Sequence, residues 1–266
     1  MDNQRTIVLI TGANQGIGYE VAKLLLSLNE KYYILLGCRD AVRGPKAVTE
    51  LDPTGQSVEL VTIDVRDNAS IKQAAEHVAS KHGHLHVLIN NAGINNELNV
   101  FLQQPNPQEQ SNPDASSDLA QLRKLYHDAY DVNVFGAAAT TEAFKPLLAK
   151  AVDSPPCIVF VSSHTGSMGL RNEQSSGIWA KLHSPSFPIY RSTKAALNML
   201  MLHYSALFED RGWKVNASAP NLTATNFSHG VGRPASESAV NIVRLATLSV
   251  DGETGTFSDE NGTVPW

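Results

Sequence analysis

An apolar run, Thr6-Ile7-Val8-Leu9-Ile10, leads directly into Thr11-Gly12-Ala13-Asn14-Gln15-Gly16-Ile17-Gly18, and helical spacing of Val21, Ala22, Leu24, Leu25 and Leu28 follows at once. The pattern reads strand, tight loop, helix. Glycines let the backbone turn sharply and come close to a ligand, and the helix behind them aims unpaired N–H groups and a positive dipole end at it. The stretch therefore predicts a dinucleotide pyrophosphate turn in the spacing Thr-Gly-x-x-x-Gly-x-Gly. Taken alone, the same residues also describe a plain tight connection between a strand and a helix, so the rest of the chain has to supply cofactor contacts and chemistry.

Further strands are expected at Tyr32 to Cys38, Ser57 to Ile63, His86 to Asn90, Pro156 to Ser162 and Val215 to Ser218. Amphipathic helices are expected at about Ala69 to Lys81, from Leu119 towards Leu148, and from Ile189 to about Phe208. Strands alternating with helices imply parallel βαβ units with helices on both faces, an α/β doubly wound sheet of Rossmann type. The 266 residues suit one such domain, 1–266, carrying polar insertions near 101–118 and 164–188. The first insertion holds three prolines among amides and serines, which suits a long loop or lid. In the second, Met168, Trp179 and Phe187 are candidates to wall a pocket.

Net charge is −5 and there is no basic tract, which argues against nucleic acid or an anionic membrane as partner and favours a small molecule. No apolar run reaches membrane-spanning length, and the first strand begins so near Met1 that a signal peptide has no room, so a cytoplasmic location is expected. Cys38 and Cys157 lie in strand-like runs and read as buried reduced thiols. His82, His84 and His86 alternate where a helix ends and a strand begins, without a carboxylate or cysteine at ligand spacing, so no metal site is assigned.

Candidate site residues gather at the carboxyl ends of the strands, where open α/β sheets bind ligands. Arg39 ends the second strand and Arg43 follows four residues on; guanidinium forks there suit a ribose 2′-phosphate and argue for NADP(H) over NAD(H), although Asp40 offers the ribose a competing carboxylate. Asp64 and Val65 close the third strand, a carboxylate for an adenine amino group and a valine for its ring. Asn133, mid-helix beside Gly136, is a position for a local kink with a purpose. Ser162 and Ser163 end the fifth strand. His164 raises the possibility of a Ser/His/Asp hydrolase, yet no Gly-x-Ser-x-Gly elbow exists. Tyr190 and Lys194 are four apart on a helix and share one face, so an ammonium can favour the phenolate of a tyrosine whose free pKa is ~10.

Thr11-Gly12-x-x-x-Gly16-x-Gly18, Asn90-Asn91-Ala92-Gly93, Asn133, Ser163 and Tyr190-x-x-x-Lys194 occur in that order, and together they resemble the short-chain dehydrogenase/reductase family over nearly the whole chain. Within it the run Arg39-Asp40-Ala41-Val42-Arg43-Gly44, the Gly255-Thr256-Phe257 segment and Trp266 are most similar to the monomeric NADPH-dependent carbonyl reductases. The resemblance implies the strand order 3-2-1-4-5-6-7. It implies Tyr190 as proton donor, Ser163 holding the carbonyl oxygen, Lys194 on the nicotinamide ribose, and Asn133 placing a relay water. Gly12, Asn14, Gly16, Ile17 and Gly18 would line the pyrophosphate, with Gln15 standing where a basic residue is frequent. Asp64 and Val65 would hold the adenine, and Asn91, Ala92 and Gly93 the middle of the cofactor. Where the family usually has Pro-Gly, this chain has Pro220-Asn221-Leu222-Thr223; an asparagine tolerates the left-handed turn, and Thr223 or Thr225 would reach the carboxamide.

The expected activity is NADPH-dependent reduction of a ketone or aldehyde of a moderately hydrophobic small molecule, with Phe227 to Ala239 covering the substrate. The alternative is an isomerase, dehydratase or cyclase on the same scaffold; an NADP(H)-binding regulatory protein is a third reading. Monomer and homo-oligomer both stay open at this point.

Overall fold

The computed structural model describes residues 5–28, 31–97, 119–172 and 187–266. Its sheet runs β3-β2-β1-β4-β5-β6-β7-β8. The strands are β1 (Thr6–Thr11), β2 (Tyr32–Cys38), β3 (Val58–Thr62), β4 (Val87–Asn90), β5 (Cys157–Val161), β6 (Lys214–Ser218) and β7 (Phe257–Asp259), all parallel. The expected order holds across these seven, and the structure adds an antiparallel edge, β8 (Gly262–Thr263). That edge needs only a tight hairpin, with Asn261 N–H donating to the Asp259 carboxylate and Gly262 at φ 127.

Side-chain alternation along the strands separates two cores. Ile7 and Leu9 of β1 enter one with α3 (Asn68–Lys81), α5 (Ala137–Leu148), the short α6 (Met168–Asn172) and α7 (Pro188–Leu207), through Ile71, Phe144, Leu170 and Met201. Val8 and Ile10 enter the other with α1 (Gly16–Leu28), α2 (Arg43–Leu51) and α8 (Ala235–Ala246), through Val21, Ala47 and Ile242. Helices thus cover both faces, as the near-continuous apolar strands demand. From β1 the chain winds outward to β3 and then crosses to β4 on the other flank of β1. The resulting switch point opens a crevice beyond the carboxyl ends of β1 and β4.

The kink expected at Asn133 is a widened turn instead. Helix α4 (Leu119–Tyr130) passes through a π-helical segment, Asp131–Gly136, into α5 with helical dihedrals at both junctions. A π turn takes in extra backbone and so re-aims the side chains at that point. Both cysteines are buried free thiols, and burial pushes Cys157 up to about 12. His82 bonds to Glu59 at 2.9 Å, and His86 Nδ1 accepts the Ile7 N–H at 2.9 Å. The insertion at 101–118, and Trp179 in the second one, lie outside the described residues.

The turn that follows α2 is built on Asp52, which accepts hydrogen bonds from Thr54 N–H, Thr54 O–H, Ser57 N–H and Val58 N–H. Burial alone would raise its pKa, but these four donors outweigh it and hold the carboxyl at about 2. Its stability contribution is therefore present above the unfolded value near 4 and is lost as pH falls towards 2. Asp52→Ala is expected to cost about 2–4 kcal/mol at pH 7 and to lower the melting temperature, with the gap to the wild type closing at acid pH. Parallel thermal melts at pH 7 and pH 3 check this.

Candidate active site

The glycine turn follows β1 with Gly12 at φ 64 and Gly16 at φ 61, dihedrals that L side chains rarely adopt. A Cβ on Gly18 would lie 2.5 Å from Asn91 Nδ2 and 3.0 Å from Ala13 Cα. Asn91 in turn donates to Thr11 O at 2.8 Å and Gly12 O at 3.2 Å. The Thr11 hydroxyl accepts the N–H groups of Asn91 and Ala92, both at 3.1 Å. The ends of β1 and β4 are thereby stitched together around a turn whose glycines lack the Cβ atoms that would collide with Asn91, Ala92 and Thr225. This cradle, backed by the N-terminus of α1, fits a dinucleotide pyrophosphate.

At the end of β2, Asp40 is already committed: its carboxylate caps Val42 N–H and Arg43 N–H and accepts from Arg43 Nε at 2.6 Å. These Arg43 and Val42 contacts hold the carboxyl at about 2. Arg39 stands half-exposed, 3.9 Å from Asp64, and Arg66 reaches the same carboxylate at 3.4 Å. Arg39, Arg43 and Arg66 thus share a rim with two carboxylates. Val65 follows Asp64 at the same strand end.

Strand β5 delivers Ser162 and Ser163 to opposite sides. Ser162 donates to Asn198 Oδ1 at 2.6 Å within α7. Ser163 Oγ accepts from Thr165 N–H at 3.2 Å and Thr165 O–H at 2.9 Å, and the Ser163 side chain lies close enough to Tyr190 to lower its pKa. With Thr165 donating to it, the Ser163 proton is free to be given to another acceptor. His164, the base that a hydrolase would need, is buried and bonded to Asp259 of β7 at 2.9 Å. Burial outweighs that carboxylate and lowers its pKa.

Lys194 is buried on α7, with Nζ 5.6 Å from the Tyr190 ring centroid and donating to Val161 O at 2.7 Å. Burial lowers it to about 8. Burial also raises the Tyr190 phenol, opposed by the Ser163 side chain. The lowering by Lys194 expected from spacing is therefore not the dominant influence inside the protein; desolvation is. Gly93 marks where the parts converge, because a Cβ there would lie 3.3 Å from Asn133 Oδ1 and 3.6 Å from Lys194 Nζ. Both N–H donors of the Asn133 amide are used: it accepts Ile94 N–H at 2.8 Å and donates to Ile94 O at 2.9 Å and to Thr193 Oγ1 at 3.0 Å. Its side chain thus pins the segment after β4 to α7.

The segment after β6 departs from expectation in detail. Asn221 does not take the left-handed turn; among non-glycine described residues only Phe187 and His229 have positive φ. Asn221 instead uses its amide to reach Glu260 at 2.9 Å. Pro220 precedes it at the end of the strand. The Thr223 hydroxyl is buried against Ser238 at 2.6 Å and Asn221 O, so it faces α8. Thr225 lies over the glycine turn, its Cγ2 3.3 Å from where a Gly16 Cβ would be. Next to it Asn226 bonds Gln15 at 3.1 Å, and the Phe227 ring meets the Tyr190 ring edge-on at 5.5 Å. Two surface hollows elsewhere, of about 430 Å³ between α3 and α5 and about 290 Å³ beside β7 and β8, contain neither the glycine turn nor Ser163, Tyr190 or Lys194.

Sequence reasoning passed over the Thr11 hydroxyl, Thr193 and Glu97, whose carboxylate accepts the Tyr190 N–H at 2.7 Å. The glycine motif already contained Thr11, but Glu97 and Tyr190 are 93 residues apart and no spacing rule connects them.

The model of the short chain dehydrogenase family matches residues 6–235. The short-chain dehydrogenase/reductase ATR10 of Stachybotrys chlorohalonatus is 34% identical over 271 aligned residues, covering 97% of this chain and 89% of that protein. Among solved structures, NADPH-bound carbonyl reductase from chicken fatty liver is similar with a TM-score of 0.76 at 28% identity, over 99% of this chain and 100% of that one. Salutaridine reductase from Papaver somniferum gives a TM-score of 0.74 at 27% identity, over 95% and 99% of the two chains.

Proposed function

This chain belongs to the short-chain dehydrogenase family, nicotinamide-binding oxidoreductases that act on small molecules, and on that premise we propose that it is an NADPH-dependent reductase of a ketone or aldehyde on a moderately hydrophobic compound. The observation that carries the proposal is the convergence of Ser163, at the end of β5, with Tyr190 and Lys194 of α7 beside Gly93. The glycine turn, Asn14, Gln15 and Ile17 would hold the pyrophosphate. Asn91 to Gly93 would flank the central part of the cofactor, and Lys194 its nicotinamide ribose. Asp64 and Val65 would take the adenine, and Thr225, with Pro220 and Thr223 behind it, would face the carboxamide side.

When bound, the reduced nicotinamide supplies hydride to the carbonyl carbon. Negative charge then grows on the carbonyl oxygen, and the Ser163 and Tyr190 O–H groups would stabilise it as hydrogen-bond donors. Tyr190, kept protonated by burial, gives its proton to that oxygen, while Ser163 donates a hydrogen bond throughout. Lys194, an ammonium below pH 8, stabilises the phenolate left behind. Preference for NADPH is supported by Arg39 and Arg43 at the end of β2 and by the engagement of Asp40 with Arg43. The Phe227 ring, 41% exposed beside Tyr190, favours an apolar substrate face.

The test follows cofactor oxidation with a panel of aryl and aliphatic ketones, aldehydes and quinones, each with NADPH and with NADH. The expected result is stoichiometric NADPH loss, with NADH at least about tenfold poorer in kcat/KM. Turnover of a substrate with no net cofactor loss would favour an isomerase, dehydratase or cyclase instead.

A further inference from the structure

We propose that Glu97 is a positioning residue for Tyr190, a carboxylate supplied from the segment after β4 that caps the first turn of α7 and so fixes where the tyrosine stands beside Ser163. The inference rests on the reductase reading above. Helix α7 opens poorly by its own means. Its N-cap position is Phe187, at φ 61 and without a side-chain acceptor, and Pro188 brings no N–H. The first intrahelical bond is Arg191 N–H to Phe187 O at 3.0 Å. The N–H groups ahead of it need acceptors from outside the helix.

For Tyr190 that acceptor is Glu97 Oε2, at 2.7 Å. A carboxylate at a helix N-terminus satisfies an orphan donor and meets the positive dipole end. The segment that carries Glu97 is itself held: the Asn133 amide grips Ile94 at both N–H and C=O, and Asn96 donates to Leu125 O at 2.9 Å. Asn91, at the head of the same segment, ties down the glycine turn. One short stretch therefore carries the cofactor cradle at one end and the backbone of the proton donor at the other. Glu97 is the bond that joins this stretch to Tyr190.

Glu97→Ala and Glu97→Gln decide this. Amide hydrogen exchange is read at Tyr190, and kcat and the KM for NADPH are read with the best carbonyl substrate of the panel. In Glu97→Ala the Tyr190 amide is expected to exchange about tenfold faster than in the wild type, while amides of β5 keep their protection. Its kcat is expected to fall about tenfold with the KM for NADPH unchanged. Glu97→Gln keeps an acceptor oxygen and is expected to stay within about threefold of the wild type in both readouts. Wild-type protection at Tyr190 in Glu97→Ala overturns the proposal, as does lost protection with undiminished kcat. Equal losses in the two variants also overturn it. If the wild type turns over no carbonyl compound, the reductase reading falls and takes the catalytic link with it, whereas the exchange result still decides the capping.

Discussion

Tyr190→Phe should lower kcat for carbonyl reduction by about 10²–10⁴ while leaving NADPH affinity near that of the wild type. The substitution removes one oxygen from a ring that is otherwise held by Phe227 at its edge and by the backbone bond to Glu97. Nothing in the glycine turn or at the arginine rim touches that oxygen, so cofactor binding has no reason to change. What is lost is the proton and one of two donors to the carbonyl oxygen. Ser163 keeps its bonds from Thr165 and still offers a hydrogen bond, which accounts for a residual rate. Stability should shift by no more than about 1 kcal/mol, the ordinary worth of one hydrogen bond. Steady-state kinetics beside a fluorescence titration of NADPH separates the two effects; a kcat within threefold of the wild type would remove Tyr190 from the chemistry.

Lys194→Met should do something less common: abolish most activity and make the protein more stable. Lys194 is buried, and burial lowers it from 10.5 to about 8. Between pH 8 and 10.5 the unfolded chain binds the proton and the folded one does not, so stability rises with pH across that window. Below pH 8 both states are protonated and the folded state carries the full penalty, about 3 kcal/mol. Methionine retains the stem and removes the charge. It also leaves the Val161 carbonyl without the ammonium, at a cost of about 1 kcal/mol, so the net gain at pH 7 is about 2 kcal/mol. A melting temperature higher by about 4 °C at pH 7 is expected, with the advantage shrinking as pH passes 9. Activity should fall at least about 100-fold, because the phenolate formed at Tyr190 loses its counter-charge. A variant less stable than the wild type at pH 7, or one whose advantage is the same at pH 9.5, would show that the buried ammonium is not the costly group.

The sheet was legible because fully buried parallel strands are unbroken apolar runs. Ile7 to Ile10 and Cys157 to Val161 leave no alternative period, and their neighbours in the sheet follow from the crossover rule. The placement of Ser163 at a strand end, and of Tyr190 and Lys194 on one helix face, was legible from the apolar run before the serine and the four-residue spacing of the other two. Three other features were not. The π turn around Asn133 depends on a tertiary bond to Ile94 that no local propensity encodes. Asn221 was expected to replace a glycine by its dihedral freedom, yet it serves through its side chain on Glu260. The balance of pKa shifts at Tyr190 turns on burial, which helical spacing does not report.

The central claim is that two hydroxyls beside a buried lysine take hydride chemistry on a carbonyl to completion. The most direct measurement incubates the protein with NADPH deuterated at the transferable C4 position and the panel of ketones, aldehydes and quinones, and reads the products by mass spectrometry. The account predicts one deuterium on the former carbonyl carbon of at least one product in the wild type, and about 100-fold less or lower in Tyr190→Phe. Bound NADPH that transfers no deuterium to any of them, or transfer at the wild-type rate without the Tyr190 hydroxyl, would contradict it.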